Sequence, residues 1–184
     1  MIMSKMSGKQ SDFAYMREDA SRIIIGYGLQ QESGENYEWH EVSFYKKQKN
    51  SLSLQDVKDA VIGDINARTD EKILTGFVWN PAAGGDPVPV WLSTENQFNF
   101  KSAYDLAVQK QGATLPVTFK MGEREDGTPV YHTFETMEDA DDFYLQAVAY
   151  VNRCLADGWA EKDGIDWTPY EALFPAQNEN QQAE

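Results

Sequence analysis

The chain has 184 residues, of which 41% are hydrophobic. This is enough for one compact domain, or for one domain with a small appendage. Its 30 acidic and 16 basic residues give a formal net charge of -14. Such a surface repels phosphate backbones and anionic lipids, so we predict neither nucleic acid nor a membrane surface as partner. Cys154 is the single cysteine, which excludes an internal disulfide.

The beginning of the chain favours a hairpin after a short lead-in. Residues 1–20 are polar and mixed, which predicts a flexible lead-in without a secretory signal. Two segments rich in β-branched and aromatic residues follow, at 22–29 and 37–45. Because residues 31–36 between them have turn composition, we predict an N-terminal β-hairpin over 21–50.

A polar run at 46–51 indicates a boundary, and the helix after it opens a second domain over 51–175. Ser53 and Asp56 have the spacing of a capping box. Apolar residues then recur at helical spacing, at Leu54, Val57, Ala60, Val61 and Ile65.

The next elements are two short strands and a second helix. The strands are predicted at 76–79 and 88–92, joined by a segment rich in proline and glycine. Pro89 lacks an N–H donor, which favours an edge position. The second helix begins after Ser93 and ends at Gly112.

Strands at 115–121 and 128–134 flank an Asp-Gly turn and predict another hairpin. Thr136 and Asp139 indicate the start of a third helix, and Gly158 indicates its end. Its apolar stripe is Met137, Ala140, Phe143, Tyr144, Ala147, Val148, Val151, Cys154 and Leu155.

The end of the chain is aromatic and then polar. Residues 159–174 predict irregular packing against the body or a partner, and 176–184 predict a disordered tail. The whole pattern favours an α+β fold in which three helices pack on short antiparallel β-hairpins.

No set of residues forms a recognisable catalytic, cofactor or metal site. The histidines are His40 and His132. A pairing of His132 with Cys154 is conceivable, but the cysteine lies on an apolar helix face, which favours a buried thiol. The acidic run at 138–142 occupies a first helical turn, where carboxylates stabilise the helix dipole. We therefore predict no enzymatic activity, no cofactor and no metal.

Aromatic residues are the other candidate functional feature. For any single one, core packing is the default interpretation. As sets, those of the first hairpin and the end segment lack obvious cover within one short chain. We predict that they contact a partner, with these candidates: Tyr37, Trp39, Phe44, Tyr45, Trp167, Tyr170 and Phe174.

The middle of the chain carries a longer pattern. Residues 65–79 read INARTDEKILTGFVW, residues 90–100 read VWLSTENQFNF, and LPVTF and HTF follow before the third helix. Over about 54–162 this order resembles an uncharacterised domain family found toward the C-termini of bacteriophage and prophage tail-associated proteins. The family implies an α+β domain and provides no catalytic residues. The proline- and glycine-rich loop and the strong acidity depart from its pattern.

We therefore expect a phage- or prophage-derived structural or tail-assembly protein that acts through protein–protein contacts. Its partners would be virion or tail components, and homo-oligomerisation stays open. It would be cytoplasmic before assembly and virion-associated afterwards. Two alternatives remain: a small carbohydrate-binding or hydrolytic protein, and an acidic inhibitor that mimics nucleic acid.

Overall fold

The computed structural model describes residues 3–174 and has an α+β architecture, as predicted. Among these residues the strands are β1 (Met3–Lys9), β2 (Arg17–Glu18), β3 (Arg22–Ser33), β4 (Asn36–Tyr45), β5 (Phe77–Trp79), β6 (Val88–Val90), β7 (Val117–Glu123) and β8 (Pro129–Phe134). The helices are α1 (Leu54–Thr75), α2 (Thr94–Gln109), α3 (Met137–Asp163) and α4 (Thr168–Leu173). None of the described helices is both long enough and apolar enough to span a membrane.

The chain divides into two compact units that do not follow the predicted domain limits. Unit 1 comprises the described residues up to Ala67 and those from Gly158 onward. Unit 2 comprises Arg68–Asp157. Both long helices, α1 and α3, contribute residues to each unit.

Unit 1 is built on an antiparallel sheet with strand order β1-β4-β3-β2. The predicted first hairpin is confirmed as β3 and β4, with Ile25 opposite Val42. One face of this sheet packs against the start of α1, whose Val57, Val61 and Ile65 are fully buried. Their spacing of four residues places them on one side of the helix. The start of α1 is closed by the predicted Ser53–Asp56 capping box.

The prediction of a flexible lead-in is wrong for the described residues. Residues 3–9 form β1, which pairs with β4 and places Met6 opposite Trp39. The segment after it crosses β3 at Gly26, where a Cβ would lie 2.5 Å from the Ala14 carbonyl oxygen. The predicted disordered tail at 176–184 lies outside the described residues.

Unit 2 contains the other two predicted hairpins, β5–β6 and β7–β8, together with α2 and most of α3. Trp91 N–H donates to the Met121 carbonyl at 2.8 Å, so the hairpins adjoin. The core is aromatic, with Trp79 fully buried against Phe134 and Phe143. The predicted cap of α2 is confirmed by the bond from Asn96 N–H to the Ser93 hydroxyl.

The predicted end of the third helix at Gly158 is wrong. α3 continues to Asp163, and Gly164 follows it. A glycine inside a helix costs only about 1 kcal/mol relative to alanine. Gly158 is buried, as is Cys154 one turn before it, and packing of this face of the helix offsets so small a cost.

Candidate functional site

Unit 1 has a cavity of about 380 Å³, which we name the tyrosine cleft. It lies among the segment that follows β1, strand β3 and the chain on either side of Gly164. Its aromatic wall and its acidic rim are formed by Phe13, Tyr15, Tyr27 and Tyr170, and by Glu161 and Asp166.

The tyrosines at the back of the cleft are held by buried hydrogen bonds. Tyr170 is 2% exposed, and its hydroxyl donates to the Gly26 carbonyl at 2.7 Å. Burial raises the pKa of the Tyr170 hydroxyl well above its usual range, and the negative charge of the Asp166 carboxylate adds to the effect. Tyr27 donates its hydroxyl hydrogen to the carboxylate of Asp64, which is itself 1% exposed. The donor hydrogens of both back-wall tyrosines are therefore already engaged.

The mouth of the cleft is more open and negatively charged. Tyr15 is 43% exposed and makes edge-to-face contacts with Tyr170 at 5.4 Å and with Phe13 at 4.9 Å. The Thr168 backbone N–H donates to Asp166 and lowers the pKa of that carboxyl, which keeps it ionised. Of the described residues, those that line the cleft include no lysine or arginine.

Unit 2 has an apolar groove of about 290 Å³ between α2 and α3, which we name the α2–α3 groove. Phe98 and Val148 line it and are 70% and 40% exposed, and Leu145 nearby on α3 is 67% exposed. Lys101 at its edge is paired with Asp105. Exposed apolar side chains grouped in this way are typical of protein-binding surfaces.

His132 takes part in a polar cluster at the start of α3. Its Nε2 lies 2.8 Å from Asp139 Oδ2, and its ring packs edge-on against Trp79 at 4.7 Å. The interpretation of Cys154 as a buried thiol, which the sequence favoured over a pairing with His132, is confirmed. Cys154 lies one helical turn after Tyr150 on α3. Burial raises the pKa of Tyr150 to about 12, and its hydrogen bond with Cys154 adds to the shift.

The carboxylates of the acidic run bind framework groups. Asp142 accepts from Trp79 Nε1 at 2.9 Å and from Ala82 N–H at 3.1 Å. Burial alone would raise the pKa of Asp142, but these hydrogen bonds and one from Gln146 outweigh it and lower the pKa. Tyr104 donates to Asp141 at 2.8 Å. Within residues 3–174, no group of three or more histidines, cysteines and carboxylates could hold a metal ion.

Comparison with known proteins gives one result. Residues 56–178 match the family described as Domain of unknown function (DUF4376), which is more than half of the chain. The chain belongs to this family. The DUF4376 match covers all of unit 2 and leaves the sheet of unit 1 outside it. No curated protein and no solved structure matches the chain.

Some aromatic candidates precede the DUF4376 region and others lie within it. The structure corrects the prediction for two of them. Trp39 and Tyr170 are 3% and 2% exposed, so the prediction that they contact a partner is wrong. They are buried because the sheet has cover on both faces. Trp39 packs under Phe13 at 6.1 Å, and Tyr170 lies in the core with Ile25 and Val61.

Other candidates are only partly covered. Three pack against the same core as Tyr170, namely Phe44, Trp167 and Phe174. Tyr37 is half-buried, and Tyr45 is 66% exposed. The first hairpin and the end segment of unit 1 thus cover one common core, a contact that sequence spacing did not indicate.

Sequence reasoning missed most of the residues that form the two concave features; among the candidate residues only Tyr170 lines the tyrosine cleft. Tyr15 lay in the predicted lead-in, and Phe98 lay in the predicted second helix without being singled out as a candidate. Phe98 lies two positions before Phe100, and of the two only Phe100 is buried. The position of Phe98 in the first turns of α2, beside polar neighbours, was the available signal.

Proposed function

We propose that the chain is a non-enzymatic, phage- or prophage-derived protein that acts in tail assembly through protein–protein contacts. The observation that carries this proposal is the α2–α3 groove. Phe98 and Val148 line it and are 70% and 40% exposed. Covering a large apolar side chain releases about 1.5–3 kcal/mol, so a partner that presents an apolar segment gains from this surface.

The resemblance over about 54–162 supports the tail-associated assignment. The α2–α3 groove lies within this part of the chain. A non-enzymatic role is supported by the environment of His132, whose ring packs against Trp79 and Phe134 and whose Nε2 is bonded to Asp139. These contacts hold the histidine ring against core residues of unit 2.

The test is a pull-down from cells that produce the phage, with the tagged chain as bait and identification of the captured proteins. We expect a virion or tail component to be recovered with the original chain and lost with Phe98→Ser. Because the Phe98 side chain is 70% exposed, its removal leaves the core intact.

Leu106→Ser is the matched control. Leu106 lies on the same helix, is 45% exposed and does not line the groove. It should retain the captured component, while circular dichroism shows both variants folded. Recovery of no virion component, or equal capture by Phe98→Ser, would overturn the proposal.

A further inference from the structure

We propose that the tyrosine cleft binds the guanidinium group of an arginine side chain presented by a partner protein. The site lies in unit 1 and is separate in residues and chemistry from the α2–α3 groove. Its cavity of about 380 Å³ lies within the range of natural ligand pockets.

The aromatic wall supplies the first part of the recognition. Tyr15 lines the cleft, is 43% exposed, and is held in place by edge-to-face contacts with Phe13 and Tyr170. A cation above a tyrosine ring is attracted by the electrons of its face. Because the ring is already ordered by these contacts, binding loses little side-chain entropy.

The acidic rim supplies the second part. Glu161 and Asp166 line the cleft, and no basic residue does so in the described part of the chain. Asp166 stays ionised because the Thr168 N–H stabilises its carboxylate. The net charge of -14 further favours the approach of a basic partner.

The hydrogen bonding of the back wall favours a cation over a sugar. The hydroxyls of Tyr27 and Tyr170 already donate to Asp64 and to the Gly26 carbonyl. The wall therefore presents aromatic ring surface more than free hydrogen-bond donors. Binding of a sugar requires both donors and acceptors for its hydroxyl groups. A guanidinium group can stack on an aromatic ring and donate two hydrogen bonds to one carboxylate. It is also less strongly hydrated than an ammonium group.

The experiment is a titration of the isotope-labelled full chain, followed by amide chemical shifts. The probe is acetyl-Gly-Ser-Arg-Ser-Gly-amide, compared with the same peptide containing lysine or glutamine in place of arginine. We expect shifts confined to residues around 13–15, 27–30 and 160–170. The arginine peptide should bind most tightly, the lysine peptide more weakly, and the glutamine peptide without saturation. High salt should weaken the binding of arginine.

Two variants test the wall and the rim separately. Tyr15→Ala and Asp166→Asn should each weaken binding of the arginine peptide about fivefold. Asparagine keeps an oxygen to accept the Thr168 N–H, so the turn before α4 is retained. Matched controls in the same unit are Tyr45→Ala and Glu35→Gln, which lie outside the cleft and should bind like the original chain.

Several outcomes would overturn the proposal. These are equal binding of the glutamine peptide, shifts that map outside the cleft, or full binding by both cleft variants. Saturable binding of cellotetraose at the cleft, with none of the arginine peptide, would instead favour a carbohydrate. The pull-down with Phe98→Ser concerns another site, so failure of one proposal leaves the other standing.

Discussion

Asp64 is a carboxylate within the core of unit 1. It is 1% exposed and lies on α1 between Val61 and Ile65, which are both fully buried. Burial of a charged group is costly unless hydrogen bonds compensate. The Tyr27 hydroxyl, from the facing strand β3, donates to this carboxylate. The bond therefore ties the helix to the sheet directly behind the tyrosine cleft.

Tyr27→Phe removes this donor and retains the ring. We expect the free energy of unfolding to fall by about 2 kcal/mol, because a buried charged acceptor loses a hydrogen bond. Urea unfolding at neutral pH measures the change. The control is Tyr45→Phe, whose parent side chain is 66% exposed and which should change stability by less than about 0.5 kcal/mol. Equal stability of Tyr27→Phe and the original chain would contradict this account.

At the scale of elements, the junction after α1 depends on one glycine. Gly76 has φ +86°, and a Cβ there would lie 1.7 Å from the Val90 carbonyl oxygen. Its N–H donates to the Ile73 carbonyl at 3.0 Å, which ends the helix. The backbone of β6 can approach the end of α1 only because this residue has no side chain.

Gly76→Ala should lower the free energy of unfolding by at least about 3 kcal/mol, from strain at positive φ and from the clash. Gly63→Ala, inside the helix α1 that Gly76 follows, is the matched control. Gly63 has open space around its Cβ position, so alanine should raise the stability by about 1 kcal/mol. The two substitutions should change the free energy of unfolding in opposite directions, which urea unfolding measures. This difference separates backbone strain at Gly76 from a general effect of alanine. A neutral Gly76→Ala would contradict the description of this junction.

At the scale of the whole molecule, the DUF4376 match begins inside α1, whereas unit 1 requires residues that precede it. Val57, Val61 and Ile65 are fully buried against residues of β3 and β4 such as Ile25 and Val42. The region matched by the family thus contains a helix face whose cover comes from outside the match.

A chain that begins at residue 52 should therefore expose this helix face. We expect stronger fluorescence of a hydrophobic dye and concentration-dependent self-association, because contiguous apolar surface is exposed to water. Dye binding and light scattering, compared with the full chain at equal concentration, measure both. A monomeric truncated chain with no added dye binding would show that the sheet does not cover α1 in the way described.

Local signals in the sequence predicted most of the elements correctly. The caps at Ser53 and Ser93, the Asp-Gly turn before β8 and the turn between β3 and β4 each depend on residues only a few positions apart. Such signals act within one turn of chain, so they are readable without a tertiary structure. They account for the three hairpins, the three main helices and the α+β class.

The features that the sequence did not reveal depend on contacts between segments that are far apart in the chain. β1 is polar and mixed, and it becomes a strand because β4, about thirty residues later, supplies its hydrogen-bond partner. The same sheet, once covered on both faces, buries Trp39 and Tyr170. The sequence shows that both residues are aromatic. Whether each lies in a core or at the surface depends on which segments of the chain pack over it.

The tyrosine cleft shows most clearly which features can be seen in the sequence and which depend on the tertiary structure. Its tyrosines and carboxylates, and the excess of negative charge, were evident from the amino-acid sequence. Only the tertiary structure brought Tyr15 beside Tyr170, more than 150 positions later, at a ring distance of 5.4 Å. The physical reason is that the hydrophobic effect is non-directional and does not depend on how far apart two residues are in the sequence. Residues become neighbours in the core because their surfaces pack together and exclude water.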